Sequence, residues 1–168
     1  MGSQNKPKVA VIMGSSSDYE TMENAVQILE QFGIECKTRV ISAHRTPQVA
    51  SEFADQAYEN GFRVIIAGAG KAAHLAGVIA AHTTIPIIGV PMKTSDLGGL
   101  DSLLSTVQMP GGVPVATTAI GKAGAKNAGL LAVQILSIAD SSLVDKLAEY
   151  RQQMTEEVET ADRDIRNR

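Results

Sequence analysis

A parallel β-sheet with helices on both of its faces is the fold this chain predicts, on three observations. Short runs rich in Val and Ile alternate strictly with segments whose apolar residues recur at helical spacing. The first of these runs, Lys8 to Met13, is almost continuously apolar, as a strand covered on both sides must be, instead of alternating apolar and polar. Glycines stand where the helical patterns stop. With 168 residues, 44% of them hydrophobic and 20% charged, the chain is of a size to bury one core. It is read as a single domain over 1–168, an α/β unit at 8–138 followed by a separate helix at 141–168.

The elements follow in order. Lys8 to Met13 is an apolar run ended by Gly14 and serines, a buried strand. Ser17 with Glu20 three residues on reads as a capping box, and Met22, Ala25, Val26 and Leu29 repeat at helical spacing until Gly33. Ile34 to Ile41 is a second strand. Thr46 then caps, and Pro47 opens, a helix to Asn60 with Val49, Ala50, Phe53, Ala54 and Ala57 on one face, closed by Gly61. Val64 to Ala67 is the third strand and Lys71 to His82 an Ala-rich helix. Ile85 to Val90 is the fourth strand; Pro91 to Leu100 is a polar loop before a short helix at Asp101. After the turn Met109-Pro110-Gly111-Gly112, residues Val113 to Thr117 form the fifth strand and Gly121 to Ile138 a buried helix. Such an order, with right-handed crossovers, makes a flavodoxin-like three-layer sandwich. Ser141 to Arg168 lies outside it, a charged helix with one stripe of Leu143, Leu147, Tyr150, Met154, Val158 and Ala161; the stripe suits a neighbouring subunit.

Composition excludes several classes. Fifteen basic against eighteen acidic residues leave a net charge of -3, with no basic block and few aromatics, so nucleic acid has neither its electrostatic nor its stacking partner. The single cysteine, Cys36, allows no intrachain disulfide and points to the reducing cytoplasm; it reads as a small apolar residue on a strand. Met1 to Lys8 has no apolar core of a signal peptide. The most apolar stretch, Ile79 to Met92, is interrupted by His82, Pro86 and Pro91 and is too short to cross a membrane.

In a parallel sheet all carboxyl ends of the strands face one edge, where ligands bind. Four loops should meet there: Gly14 to Asp18, Ser42 to Thr46, Gly68 to Lys71 and Pro91 to Gly99. The first offers hydroxyls and N–H groups at a helix start, suited to an anion or a sugar hydroxyl. Capping accounts for Ser17 more simply, and Asp18 fits either the helix dipole or a ligand. Gly68-Ala69-Gly70-Lys71 matches neither a dinucleotide fingerprint nor a P-loop, since no acidic residue ends the following strand and Ala72 stands where Ser or Thr belongs. His82 lies at a helix end, where a dipole contact or solvent suffices. His74 is open between a buried hydrogen-bonded residue and a site residue. His44 differs: a group that titrates near neutrality is followed at once by Arg45, a strong phosphate partner. Spacing among the three histidines suits no metal.

Gly14-Ser15-Ser16-Ser17-Asp18, Ser42-Ala43-His44-Arg45-Thr46-Pro47, Gly68-Ala69-Gly70 with Ala72-Ala73-His74-Leu75, Asp101 to Ser105, Gln108-Met109-Pro110, Gly121 to Ala125 and Asn127-Ala128 together resemble the PurE family of purine biosynthesis, from the start of the chain to about Ile138. The resemblance implies a mutase that moves a carboxylate from the exocyclic nitrogen of an aminoimidazole ribonucleotide to ring carbon C4. It also implies a homo-octamer with shared sites, and neither metal nor organic cofactor. His44 would be the general acid and base, and Ser15, Asp18 and Arg45 would bind the nucleotide, Arg45 at the phosphate and Asp18 at a ribose hydroxyl. Ser42, Ala43, Gly70, Lys71 and His74 would line the substrate pocket. The family pattern often has Gly at the position of Lys71 and Pro at that of Ala76; Lys71 either meets an anion or reaches solvent. Two alternatives are a carboxylase of the bare aminoimidazole using free carbon dioxide, and a non-catalytic or flavin-binding flavodoxin-like module. Against a flavin stands the lack of Trp, with three Tyr.

Overall fold

The computed structural model describes residues 8–168; the signal-peptide reading of the first residues, up to Pro7, lies outside them. Among the described residues five parallel strands, β1 (Val9–Met13), β2 (Cys36–Val40), β3 (Val64–Ala69), β4 (Ile87–Pro91) and β5 (Ala116–Thr117), lie in the order β2-β1-β3-β4-β5. Six helices connect and follow them: α1 (Tyr19–Gln31), α2 (Pro47–Asp55), α3 (Leu75–His82), α4 (Leu100–Val107), α5 (Lys122–Ser137) and α6 (Ser142–Arg166). This is the three-layer sandwich that the alternation predicts.

Strand periodicity sorts the core into two halves. Val9, Val11 and Met13 of β1, with Val64, Ile66, Ile88 and Val90, pack against α1 and α5; Ala10, Ile12, Ile65, Ala67 and Ile87 pack against α2 and α3. Each fully buried Ile or Leu contributes about 1.5–3 kcal/mol, so the central strands carry much of the stability. Gly129 lets α5 lie close to α1, since a Cβ there would sit 3.0 Å from the Ala25 carbonyl oxygen.

Several boundaries differ from expectation, each for a local reason. Ser17 does not cap α1: Ser15 caps a 3-10 turn over Ser16–Asp18, and α1 starts after it with no side-chain cap. Thr46 occupies the N-cap of α2 but turns its hydroxyl back to the Ser42 carbonyl, 2.9 Å away. Residues 56–61 leave the helix as successive turns that end on Gly61 at φ 94°. α3 begins at Leu75 and not at Lys71, because Lys71 takes a left-handed φ of 57° that no right-handed helix admits. β5 has two residues instead of five, with Pro114 just before it unable to donate to a ladder.

In α6, Leu143 is buried and Leu147 and Tyr150 pack on the α1/α5 half of the core, Tyr150 against Phe32 with ring centroids 5.7 Å apart. From Arg151 onward every residue is exposed, Met154, Val158 and Ile165 included.

Candidate active site

Register levels the site's floor. Val40, Met13, Gly68 and Val90 stand in one row across β2, β1, β3 and β4, so the four loops that follow leave the sheet from the same height. Hydrogen bonds then join them. The Gly14 N–H donates to the Gly68 carbonyl at 3.0 Å, and the Arg45 guanidinium donates to the Gly14 carbonyl at 3.4 Å. A Cβ on Gly70 would lie 3.4 Å from the Met92 side chain and 3.6 Å from that of Thr94, so this turn rests on the start of the fourth loop.

The 42–46 loop is self-braced. The Thr46 hydroxyl donates to the Ser42 carbonyl and accepts from the Ser42 N–H at 3.1 Å, the Thr46 N–H donates to the same carbonyl at 2.9 Å, and the Arg45 N–H donates to Ser42 Oγ at 3.1 Å. None of these bonds uses the His44 ring, which projects to the β3–α3 turn. There His44 Nε2 and His74 Nδ1 are 2.8 Å apart, with the rings edge to face at 4.9 Å. A hydrogen bond at this distance needs one nitrogen to donate and the other to accept, so the tautomer of one ring sets that of the other. The fold thus brings His74 to the same loop edge as His44. Both rings are exposed, as is Arg45.

Asp18 is half-buried at the first loop. Burial pushes its carboxyl above the ordinary range, and hydrogen bonding with the Ser15 backbone and the Ser17 side chain offsets this only in part. A pKa raised by folding means that the folded chain holds the proton more tightly. The associated stability is full below the ordinary carboxylate range and is lost as pH rises through the raised value. Asp18→Asn should thus raise Tm at neutral pH and leave it unchanged below the carboxylate range, which thermal unfolding at the two pH values checks.

Lys71 does meet an anion, but a residue of its own chain: its ammonium is 2.6 Å from Asp96. The spacing of charges along the sequence offered no sign of that partner, nor of Ser102, whose buried hydroxyl accepts the Lys71 N–H at 2.9 Å. His82 too has a partner beyond the helix end and solvent, with Asp55 3.3 Å from its Nδ1. Cys36 is half-buried on β2, where desolvation pushes its thiol up. Among the described residues no cluster of three or more His, Cys, Asp or Glu is placed to hold a metal ion, and no helix is long and apolar enough to cross a membrane.

A concavity of about 960 Å³ lies at the opposite edge of the sheet, between Tyr58, the 82–87 approach to β4 and the 112–116 approach to β5. It contains none of the four loops. The loop cluster is an open surface of one chain, with donors, a cation and a pair of imidazoles, suited to a small anionic ligand and to proton exchange.

The AIR carboxylase family model matches residues 8–157. The N5-carboxyaminoimidazole ribonucleotide mutase of Bacillus subtilis (strain 168) is 60% identical over 147 residues, 88% of this chain and 91% of that protein. Those of Saccharolobus solfataricus and Escherichia coli (strain K12) are 57% and 54% identical, over 90% and 94% of this chain and 95% and 94% of their own lengths. The crystal structure of Treponema denticola PurE superposes with a TM-score of 0.81 at 29% identity, covering 92% of this chain and 95% of that one.

Proposed function

The chain belongs to the AIR carboxylase family, and from that premise we infer that it is an N5-carboxyaminoimidazole ribonucleotide mutase, an isomerase of purine biosynthesis. Mutases 54–60% identical along nearly their whole length support this reading. The observation in the site that carries the chemistry is His44 meeting His74 at 2.8 Å beside Arg45, on the edge where the loops join.

The reaction needs one proton moved twice and no net gain or loss. Breaking the carbamate C–N bond releases carbon dioxide, and the amine nitrogen takes a proton. C4 then attacks carbon dioxide, the new C–C bond forms, and the C4 proton leaves. His44 gives the first proton and takes the second, returning to its starting state. His74 orients the ring and holds its tautomer. Arg45 binds the 5'-phosphate through guanidinium N–H groups, only one of which is engaged within the described chain, and Asp18 accepts a ribose hydroxyl beside Ser15. Ser42, Ala43 and the 70–74 turn wall the ring. The substrate is a small ribonucleotide and not a nucleic acid. The exposed end of α6 packs on other copies in a homo-octamer, in the cytoplasm, a setting that a chain with one cysteine suits.

Two assays test this. Without added bicarbonate, purified protein should convert the carboxyamino compound to the C4-carboxylated product and leave the bare aminoimidazole untouched; conversion of the bare compound with free carbon dioxide instead would establish the carboxylase reading. In addition, His74→Asn should lower kcat by about ten- to a hundredfold with KM nearly unchanged, because a ring free to swing loses its alignment. His74→Gln, whose longer side chain carries the same amide donor and acceptor closer to the His44 ring, should recover part of the loss. Unchanged kcat in both would remove His74 from the mechanism.

A further inference from the structure

Among the described residues Lys71 alone, apart from glycines, has a positive φ. An L side chain avoids that region, so something must hold it there. Three contacts from outside its own turn do, and all reach the β4–α4 side. The Lys71 N–H donates to Ser102 Oγ at 2.9 Å, its carbonyl accepts from Ser105 Oγ at 3.4 Å, and its ammonium pairs with Asp96 at 2.6 Å. The first two pin the turn to α4. The third reaches a different kind of structure.

Asp96 lies on the tip 95–98 of the β4–α4 connection, where every residue is exposed. Anchors stand on both sides of that tip. Thr94 donates to Asp101 at 2.8 Å and accepts the Gly99 N–H at 3.1 Å; Gly99 is itself buried at φ 102°, hemmed in by Ile120 and the Met92 carbonyl. Gly98, at φ 64°, has open space where a side chain would be. Within the tip, among the described residues, Lys71–Asp96 is the one ion pair or hydrogen bond that reaches another strand-end loop. That loop carries Gly70 on one side of Lys71 and His74 three residues on.

The mutase reading, on which this inference rests, requires carbon dioxide to stay at the site between C–N cleavage and C–C formation. We propose that Lys71 is a positioning residue: through Asp96 it latches the 95–98 tip beside the turn that carries His74, and so limits the escape of carbon dioxide during turnover. Escape is the balanced side reaction in which the carbamate takes up one proton and leaves as the free amine and carbon dioxide.

Lys71→Met, which keeps the length of the side chain without its charge, Asp96→Asn and the double variant test it, with two readouts. One is the amount of bare aminoimidazole released per C4-carboxylated product, above the enzyme-free rate. The other is hydrogen exchange at the 95–98 amides without substrate. Each single change should raise the released share roughly two- to fivefold, the range open to an exposed ion pair, and speed exchange at the tip. The double variant should do no more than either single one, and high salt should do the same to the parent protein. Unchanged release and exchange in both single variants, or effects that multiply in the double one, would overturn the latch. If the parent makes no C4-carboxylated product the reading of the site fails instead, and the latch stands or falls on exchange alone.

Discussion

Replacing His44 by Asn should cut turnover by roughly two to four orders of magnitude while a phosphate-bearing ligand, such as the aminoimidazole ribonucleotide, binds within about threefold of the parent affinity. The reason for the split lies in how the loop is built. Its bends are held by bonds among Ser42, Arg45 and Thr46, and the His44 side chain takes part in none of them. Arg45 keeps its bond to the Gly14 carbonyl whatever stands at position 44. Asn can donate to His74 and accept from it, but it cannot exchange a proton near neutral pH, so shape persists and chemistry stops. Calorimetric titration alongside a turnover assay reads both halves. Parent-like turnover in the variant would end the proposed mechanism.

Gly124→Ala should be the most damaging single methyl in the fold. In an ordinary helix interior the change favours stability by up to about 1 kcal/mol. Here the added carbon would overlap the Ala119 carbonyl, which is backbone and cannot rotate away as a side chain would. The segment it would push is tied to the site, because the Gly121 N–H donates to the Pro91 carbonyl at the end of β4. A loss of about 3 kcal/mol is expected, or a fall in Tm of roughly 6–12 °C. Gly111→Ala, with nothing within 4 Å of its Cβ, is the matched control and should leave Tm unchanged. A Gly124→Ala protein that melts with the parent would show that the α5 entry can give way.

The layers were legible because burial on both faces leaves a mark in composition: Val9 to Met13 has no polar residue because neither face of β1 meets water. The four converging loops follow from parallel strands alone. What stayed hidden depends on distance in space and not along the chain. Nothing in the sequence pairs His74 with His44, thirty positions away, although their ring nitrogens lie 2.8 Å apart in space. Asp96 and Ser102 escaped notice because a surface aspartate and a helical serine look alike whether or not a lysine backbone is bent toward them. The caps misread at Ser17 and Thr46 share one cause: in a run of hydroxyls several can satisfy the same N–H groups, and the loop's own bends decide which does.

The two flanking strands have a consequence for assembly. β2 carries Lys37 and Arg39 on a partly exposed edge, and β5 is two residues long with Pro114 beside it. Charge on one border and a missing donor beside the other disfavour strand addition at both. Extension of one continuous sheet between copies of this chain is thus disfavoured, and helices and loops are the surfaces left for association. Such contacts can be packed or parted without unravelling a ladder of backbone bonds.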